Sequence, residues 1–317
     1  PATLINDAPV VVGNLTNEDM WRPENDSGRF YGPTRVREAL TFSRNLVSIR
    51  VLQQLGVSKL IEMAGRVGFD VSDMQPNLTL ALGTHAYTPL EIASGYTVIA
   101  NGGFKVEPWL IDRIEDVDGN IIYQADPAVA CARCQSEPRD DDFREASRIE
   151  DLLDDADPDV REAPRIIDER ATYVLTSMLE DVIQRGTGRR AKVLERNDLA
   201  GKTGTTNGPR DAWFSGYNKD LVTTTWVGFD DYSLMGKREF GGTAALPIWI
   251  DFMRTALPPQ SAEAEMPAGV VRLRIDKESG QRSDGQSTSI WEVFLEEFTP
   301  SNQRGRTNSA DTEDLDG

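Results

Sequence analysis

The order of elements in this 317-residue chain predicts an α+β fold, an antiparallel sheet flanked by helices. Two observations carry that expectation. Helical patterns, a hairpin, a long helix and a strand meander follow one another in blocks, without the alternating strand and helix that builds a doubly wound sheet. The meander is the clearest block: residues 199–230 hold three short apolar or β-branched runs, and Asn218-Lys219-Asp220 supplies a tight connection between the last two.

Each element has a local reason. Residues 34–42 read as a short helix opened by Pro33. Residues 46–55 read as a second, with Leu46, Ile49, Val51, Leu52 and Leu55 on its apolar face and Gly56 as its stop. Ser43-Arg44-Asn45 falls at the junction. A third helix starts at Ser58 and stops before Gly68. Thr88-Pro89-Leu90-Glu91 is a strong helix start: a capping threonine, a proline at the first helical position and a reciprocal glutamate. That helix should reach Ala100 and end at Asn101-Gly102. Residues 109–116 and 121–123, either side of Asp118-Gly119, form a hairpin. Asp168 caps a long helix with Val174, Leu175, Met178, Leu179, Val182 and Ile183 at apolar positions, and Gly186 ends it. The last helix follows Leu246-Pro247.

These boundaries divide the chain into a domain over 1–257, a C-terminal extension with a short strand over 258–300 and a disordered tail over 301–317. Residues 126–165 are dense in Asp, Glu and Arg, with Asp140-Asp141-Asp142 and Asp154-Asp155 as charge runs, and read as an acidic surface insertion.

Composition narrows the function. A formal net charge of -18, from 34 Lys plus Arg against 52 Asp plus Glu, repels phosphate backbones and argues against nucleic acid as a partner. No apolar run reaches the roughly 18 residues of a membrane helix, and no basic, apolar export signal opens the chain. It begins at Pro1 rather than methionine, so upstream sequence is expected. The single histidine, His85, reads as a packed loop residue. Cys131-Ala132-Arg133-Cys134 is one CxxC where a zinc site wants two such pairs or nearby histidines, so no metal is expected. The two cysteines fit a local disulfide in an oxidising compartment or two free thiols, and a redox role less well than either. No cofactor is expected.

The segment DLAGKTGTTNGPRDAWFSGY, residues 198–217, contains a GKT that suggests a phosphate loop. The spacing rejects it, because the first glycine of that motif falls on Arg196 and strands follow where a helix should. Read alone, Ser43 is a helix cap and Lys202 an edge-strand lysine. Trp213, Phe214 and Trp226 read as core, Arg189 and Arg190 as surface charges, and Gly186 and Gly188 as turn glycines.

Taken together, Ser43-Arg44-Asn45 between helices and Lys202-Thr203-Gly204-Thr205 opening a strand resemble two of the three motifs of the penicillin-recognising serine acyltransferases. The flanks ALTFSRNLVSIRVLQQLG, QRGTGRRA, TTTWVGFDD and GGTAALPIW narrow the resemblance to the transpeptidase domain of class A, bifunctional penicillin-binding proteins, from Pro1 to about Phe252. It implies a β-lactamase/transpeptidase-like fold with its N-terminal part missing, and a D,D-transpeptidase that cross-links peptidoglycan stem peptides and is inhibited by β-lactams. In that family Ser43 relays a proton toward the departing nitrogen, Asn45 holds the substrate carbonyl and orients a catalytic lysine, and Lys202 supplies charge beside the relay. Thr203, Thr205 and Thr206 would meet the substrate, Gly204 would keep the strand face bare for an extended peptide, and the Thr205 N–H would be one arm of an oxyanion hole.

One motif departs from the pattern. No serine in the chain has a lysine three positions later, so the Ser-x-x-Lys nucleophile is absent. The family places it shortly before a segment like ATLINDAPV, with a glycosyltransferase domain and membrane helix further upstream, and residues 1–317 alone are expected not to acylate. Two alternatives stand beside this reading: a non-catalytic peptide- or partner-binding module, and a serine β-lactam hydrolase, whose water-activating carboxylate has no evident position. The resemblance places the domain on the periplasmic or extracytoplasmic face of the inner membrane, a compartment a CxxC disulfide would fit, among other cell-wall synthesis proteins.

Overall fold

A computed structural model describes residues 1–13, 20–130, 161–206, 208–259, 264–283, 285 and 288–301. Its centre is the predicted meander. Strands β5 (Ala200–Thr205), β6 (Asp211–Tyr217) and β7 (Val222–Gly228) pair antiparallel in the order β5-β6-β7, with Lys202 opposite Ser215 and Gly204 opposite Trp213. Asn218 closes the β6–β7 connection, its carbonyl oxygen Oδ1 accepting from the Asp220 and Leu221 N–H groups.

Both faces of this sheet are packed. On one side lies the helix Leu246–Ala256, whose Leu246, Trp249, Ile250 and Met253 meet Phe214, Ala212, Leu199 and Ile183. The Phe214 and Trp249 rings cross edge to face with centroids 4.9 Å apart. A side chain at Gly216 would lie 2.7 Å from the Trp249 ring, so glycine there makes room for the indole. On the other side, α5 (Glu169–Gln184) and α4 (Pro89–Ala100) cover Ala200 and Tyr217 with Leu179, Val182, Tyr96 and Ile99. Burying such side chains contributes about 1.5–3 kcal/mol each, which is why this sequence closes around the sheet.

The helix starts follow their caps. Thr88 and Glu91 form the reciprocal capping box, and Asp168 caps α5 through the Arg170 N–H. Helices α2 (Asn45–Leu55) and α3 (Val57–Val67) also lie close to where the pattern puts them, although Leu55 is 57% exposed rather than on the buried face.

Two local expectations are corrected. Pro33 does not open a helix: it lies in strand β2 (Gly32–Arg35), which pairs with β1 (Leu4–Asp7), and α1 runs only over Val36–Thr41. The distant partner strand overrides the local proline signal. The first hairpin strand is also shorter than read, since β3 is Arg113–Glu115 against β4 (Ile121–Gln124).

The cysteine pair, most of the acidic segment and residues 302–317 lie outside the described residues. The flanks of that acidic segment meet, Val129 bridging to Glu162. Where the C-terminal extension suggested one short strand, β8 (Val270–Asp276) and β9 (Ser289–Leu295) form a paired hairpin. It docks on the start of the chain through Ile275, Phe294 and Ala2. A buried ion cluster fastens it: Glu292 receives Arg37 at 2.9 and 2.8 Å from Nε and at 2.5 Å from an amino nitrogen, with Arg35 at 3.5 Å. Arg37 continues to Asp181 and the Ser177 carbonyl on α5.

Candidate active site

The predicted site residues meet where the α1–α2 junction approaches β5. After α1 ends, Ser43 takes a left-handed backbone with φ 53°, a conformation that costs a non-glycine residue about 1–2 kcal/mol. Ser43 does not cap the helix that follows. Arg44 holds the cap position of α2 without a side-chain bond, and Asn25 Oδ1 instead accepts from the Leu46 N–H at 3.4 Å. Asn25 is itself held by the buried Asp7 carboxylate at 2.8 and 3.0 Å. The Arg44 guanidinium stacks 3.4 Å over the Tyr31 ring, drawing its side chain aside.

With its hydroxyl spared from capping, Ser43 meets β5. Lys202 Nζ donates to Ser43 Oγ at 2.9 Å and to the Thr203 carbonyl oxygen at 2.9 Å. Among the described residues no carboxylate lies in salt-bridge range of Lys202, so burial acts unopposed and lowers its pKa to about 8. Asn45 begins α2 beside Ser43, and its amide donates to the Glu24 carbonyl at 2.9 Å.

The remaining residues of the motif divide by task. Thr203 Oγ1 lies 2.7 Å from Thr187 Oγ1, and Thr205 Oγ1 accepts from the Gly241 N–H at 3.0 Å. The Thr206 hydroxyl closes the β5–β6 turn, accepting from Arg210 and Asp211 N–H groups at 3.1 and 3.0 Å. At Gly204 a Cβ would press on Trp213 Cβ at 3.0 Å, so the indole occupies that side. Strand β5 ends the three-stranded sheet, which leaves its outer backbone edge unpaired within it.

Thr187 is absent from the sequence-based site. Its signal is the Gly186-Thr187-Gly188 triplet, whose turn glycines are also buried contact points: a Cβ at Gly186 would overlap the Thr41 carbonyl oxygen, and one at Gly188 would lie 3.2 Å from the Phe214 ring. His85 packs against Tyr87 with ring centroids 4.8 Å apart, away from these contacts.

The chain has relatives of known structure. A family model for the penicillin-binding protein transpeptidase domain matches residues 2–249. The chain belongs to that family. Among curated relatives of this transpeptidase domain, penicillin-binding protein 1A of Pseudomonas aeruginosa is 47% identical over 318 residues, covering 94% of this chain and 39% of that protein. The crystal structure of penicillin-binding protein 1A from Haemophilus influenzae superposes with a TM-score of 0.83 at 33% identity, over 95% of this chain and 45% of that one. The penicillin-binding protein PonA1 from Mycobacterium tuberculosis, solved in complex with penicillin V, shares the fold at 20% identity with a TM-score of 0.60, over 82% of this chain and 65% of that one. The chain thus has the β-lactamase/transpeptidase fold, with mixed helices and antiparallel sheets, and spans less than half the length of the curated relative.

Proposed function

We propose that this domain forms the substrate groove of a serine D,D-transpeptidase. It would cleave the D-Ala-D-Ala amide of one peptidoglycan stem peptide through an acyl-enzyme and pass the acyl group to the amine of another. The observation that carries the reading is the contact of Lys202 Nζ with Ser43 Oγ.

That contact supports one direction for a proton. A lysine ammonium donating to the serine oxygen leaves the serine's own hydrogen free to point at the departing nitrogen, which makes Ser43 the relay and Lys202 the group that polarises it. Asn45 carries two amide hydrogens, and Glu24 takes one; the second is assigned to the substrate carbonyl. The hydroxyls of Thr203 and Thr205 are assigned to the terminal carboxylate and the Thr205 N–H to the oxyanion. Thr206 acts by shaping the turn beside them. An extended peptide would add along the open edge of β5, where main-chain hydrogen bonds supply affinity.

The attacking serine is assigned to sequence upstream of Pro1, because no serine here has a lysine three positions on. Residues 1–317 alone would then bind without acylating. That PonA1, which shares the fold, was solved in complex with penicillin V supports β-lactams as ligands of this domain. No helix among the described residues is long and apolar enough to cross a membrane. We assign the domain to the periplasmic or extracytoplasmic face, tethered by an upstream helix.

The test is release of D-alanine from a stem pentapeptide ending in D-Ala-D-Ala by the full-length protein, with an amine acceptor present. Penicillin-sensitive release with a new peptide bond supports the reading. Binding of the peptide with no release would assign the domain to peptide recognition instead.

A further inference from the structure

We propose that Thr187 is a positioning residue for the substrate's terminal carboxylate, acting through the hydroxyl of Thr203. The proposal rests on the transpeptidase reading of the groove and adds to it a residue outside both motifs.

Thr187 lies in the short link after α5, with its side chain exposed between two buried glycines. Its backbone is fixed on several sides. The Thr187 N–H donates to the Thr41 carbonyl at 3.3 Å, and Gly188 N–H to the Val182 carbonyl at 2.9 Å. Gly186 lies so close to Thr41 that a side chain there would overlap it, and a Cβ at Gly242 would lie 3.2 Å from the Thr187 carbonyl oxygen. An exposed threonine hydroxyl ordinarily turns toward water; this one is held 2.7 Å from Thr203 Oγ1.

Two hydroxyls at that distance share one hydrogen bond. When Thr187 donates, Thr203 becomes the acceptor and its own hydrogen is free to point out of the pair. A carboxylate selects that orientation, because the chain from Thr187 to Thr203 to the anion polarises in one direction and each bond strengthens the next. The backbone clamp on residues 186–188 therefore sets the rotamer and polarity of the motif threonine. Thr41, the other end of the clamp, lies two residues before Ser43, so the relay serine and the carboxylate-facing hydroxyl share one support.

The experiment uses the full-length protein and measures the second-order rate of acylation by a penicillin and by the methyl ester of the same penicillin, for the wild type, Thr187→Val and Thr187→Ser. Valine keeps the shape and removes the hydroxyl. With the free acid, Thr187→Val should be slower by about tenfold, the scale of one hydrogen bond serving a charged group. Thr187→Ser should restore the rate to within about threefold, since serine carries the same donor and acceptor. With the ester the valine penalty should vanish. Equal rates for valine and wild type with the free acid, or an equal loss with acid and ester, would overturn the positioning role. A wild type that no penicillin acylates would instead bring down the transpeptidase reading and this proposal with it.

Discussion

Lys202 on β5 and Ser43 at the α1–α2 junction, 159 residues apart in sequence, meet at 2.9 Å with the lysine as donor. On the proposed reading the lysine's charge is part of the relay, so its protonation state should govern the chemistry.

Activity should therefore fall at alkaline pH. Burial lowers Lys202 to about 8, and the ammonium that polarises Ser43 is lost as pH rises through that value. The pH dependence of the acylation rate constant in the full-length protein should show a descending limb near 8. Lys202→Arg should be slower but lose that limb, because a guanidinium stays charged.

Stability should respond with the opposite sign. The folded pKa of Lys202 lies below its ordinary 10.5, so between about 8 and 10.5 the unfolded chain binds more protons and this group favours folding increasingly as pH rises. Below that window the cost of burying the charge is fully present. Denaturation midpoints at pH 8 and pH 10 should show this gain in the wild type and a smaller one in Lys202→Met.

Ser43 separates function from strain. Ser43→Ala should reduce acylation by about 10²–10⁴-fold, the range for a lost general acid or base. Ser43→Gly should reduce it as much yet melt no lower than the alanine variant, because glycine adopts φ 53° without the penalty other residues carry.

The C-terminal hairpin should prove integral to the fold. Glu292 is 2% exposed and binds both Arg37 and Arg35, so Glu292→Gln removes the buried carboxylate they share and leaves them the more exposed carboxylates of Asp181 and Glu38. Breaking one partner of a buried pair costs about 3–5 kcal/mol, which urea titration of the variant should reveal as a lower midpoint.

Gly186→Ala probes the support of the site. The added methyl must displace the Thr41 carbonyl. Overpacking of this kind costs about 1–3 kcal/mol, and the shift should reach Ser43 two residues on, lowering acylation as well as the melting temperature.

Elements with a strong local signal could be read from the sequence. The Thr88–Glu91 capping box, the apolar positions of α5 and the three-strand meander each state their structure within a few residues. Ser43, Asn45 and Lys202 were legible as motif members, and the structure brings Ser43 and Lys202 together. What escaped depends on distant partners. Pro33 looks like a helix start until β1 is placed beside it. Glu292 has no local signal for its burial, because its partner Arg37 arrives from 255 residues away. Thr187 passes unnoticed between two glycines until β5 brings Thr203 to its hydroxyl, and Gly204 gains a packing role only when Trp213 lies opposite.

We propose a penicillin-recognising groove completed by a serine from upstream. The most direct measurement is covalent labelling by a fluorescent penicillin of residues 1–317 and of the same chain preceded by its natural upstream sequence. Label should appear on the longer chain alone. Label on neither, or on residues 1–317 by themselves, would contradict the proposal.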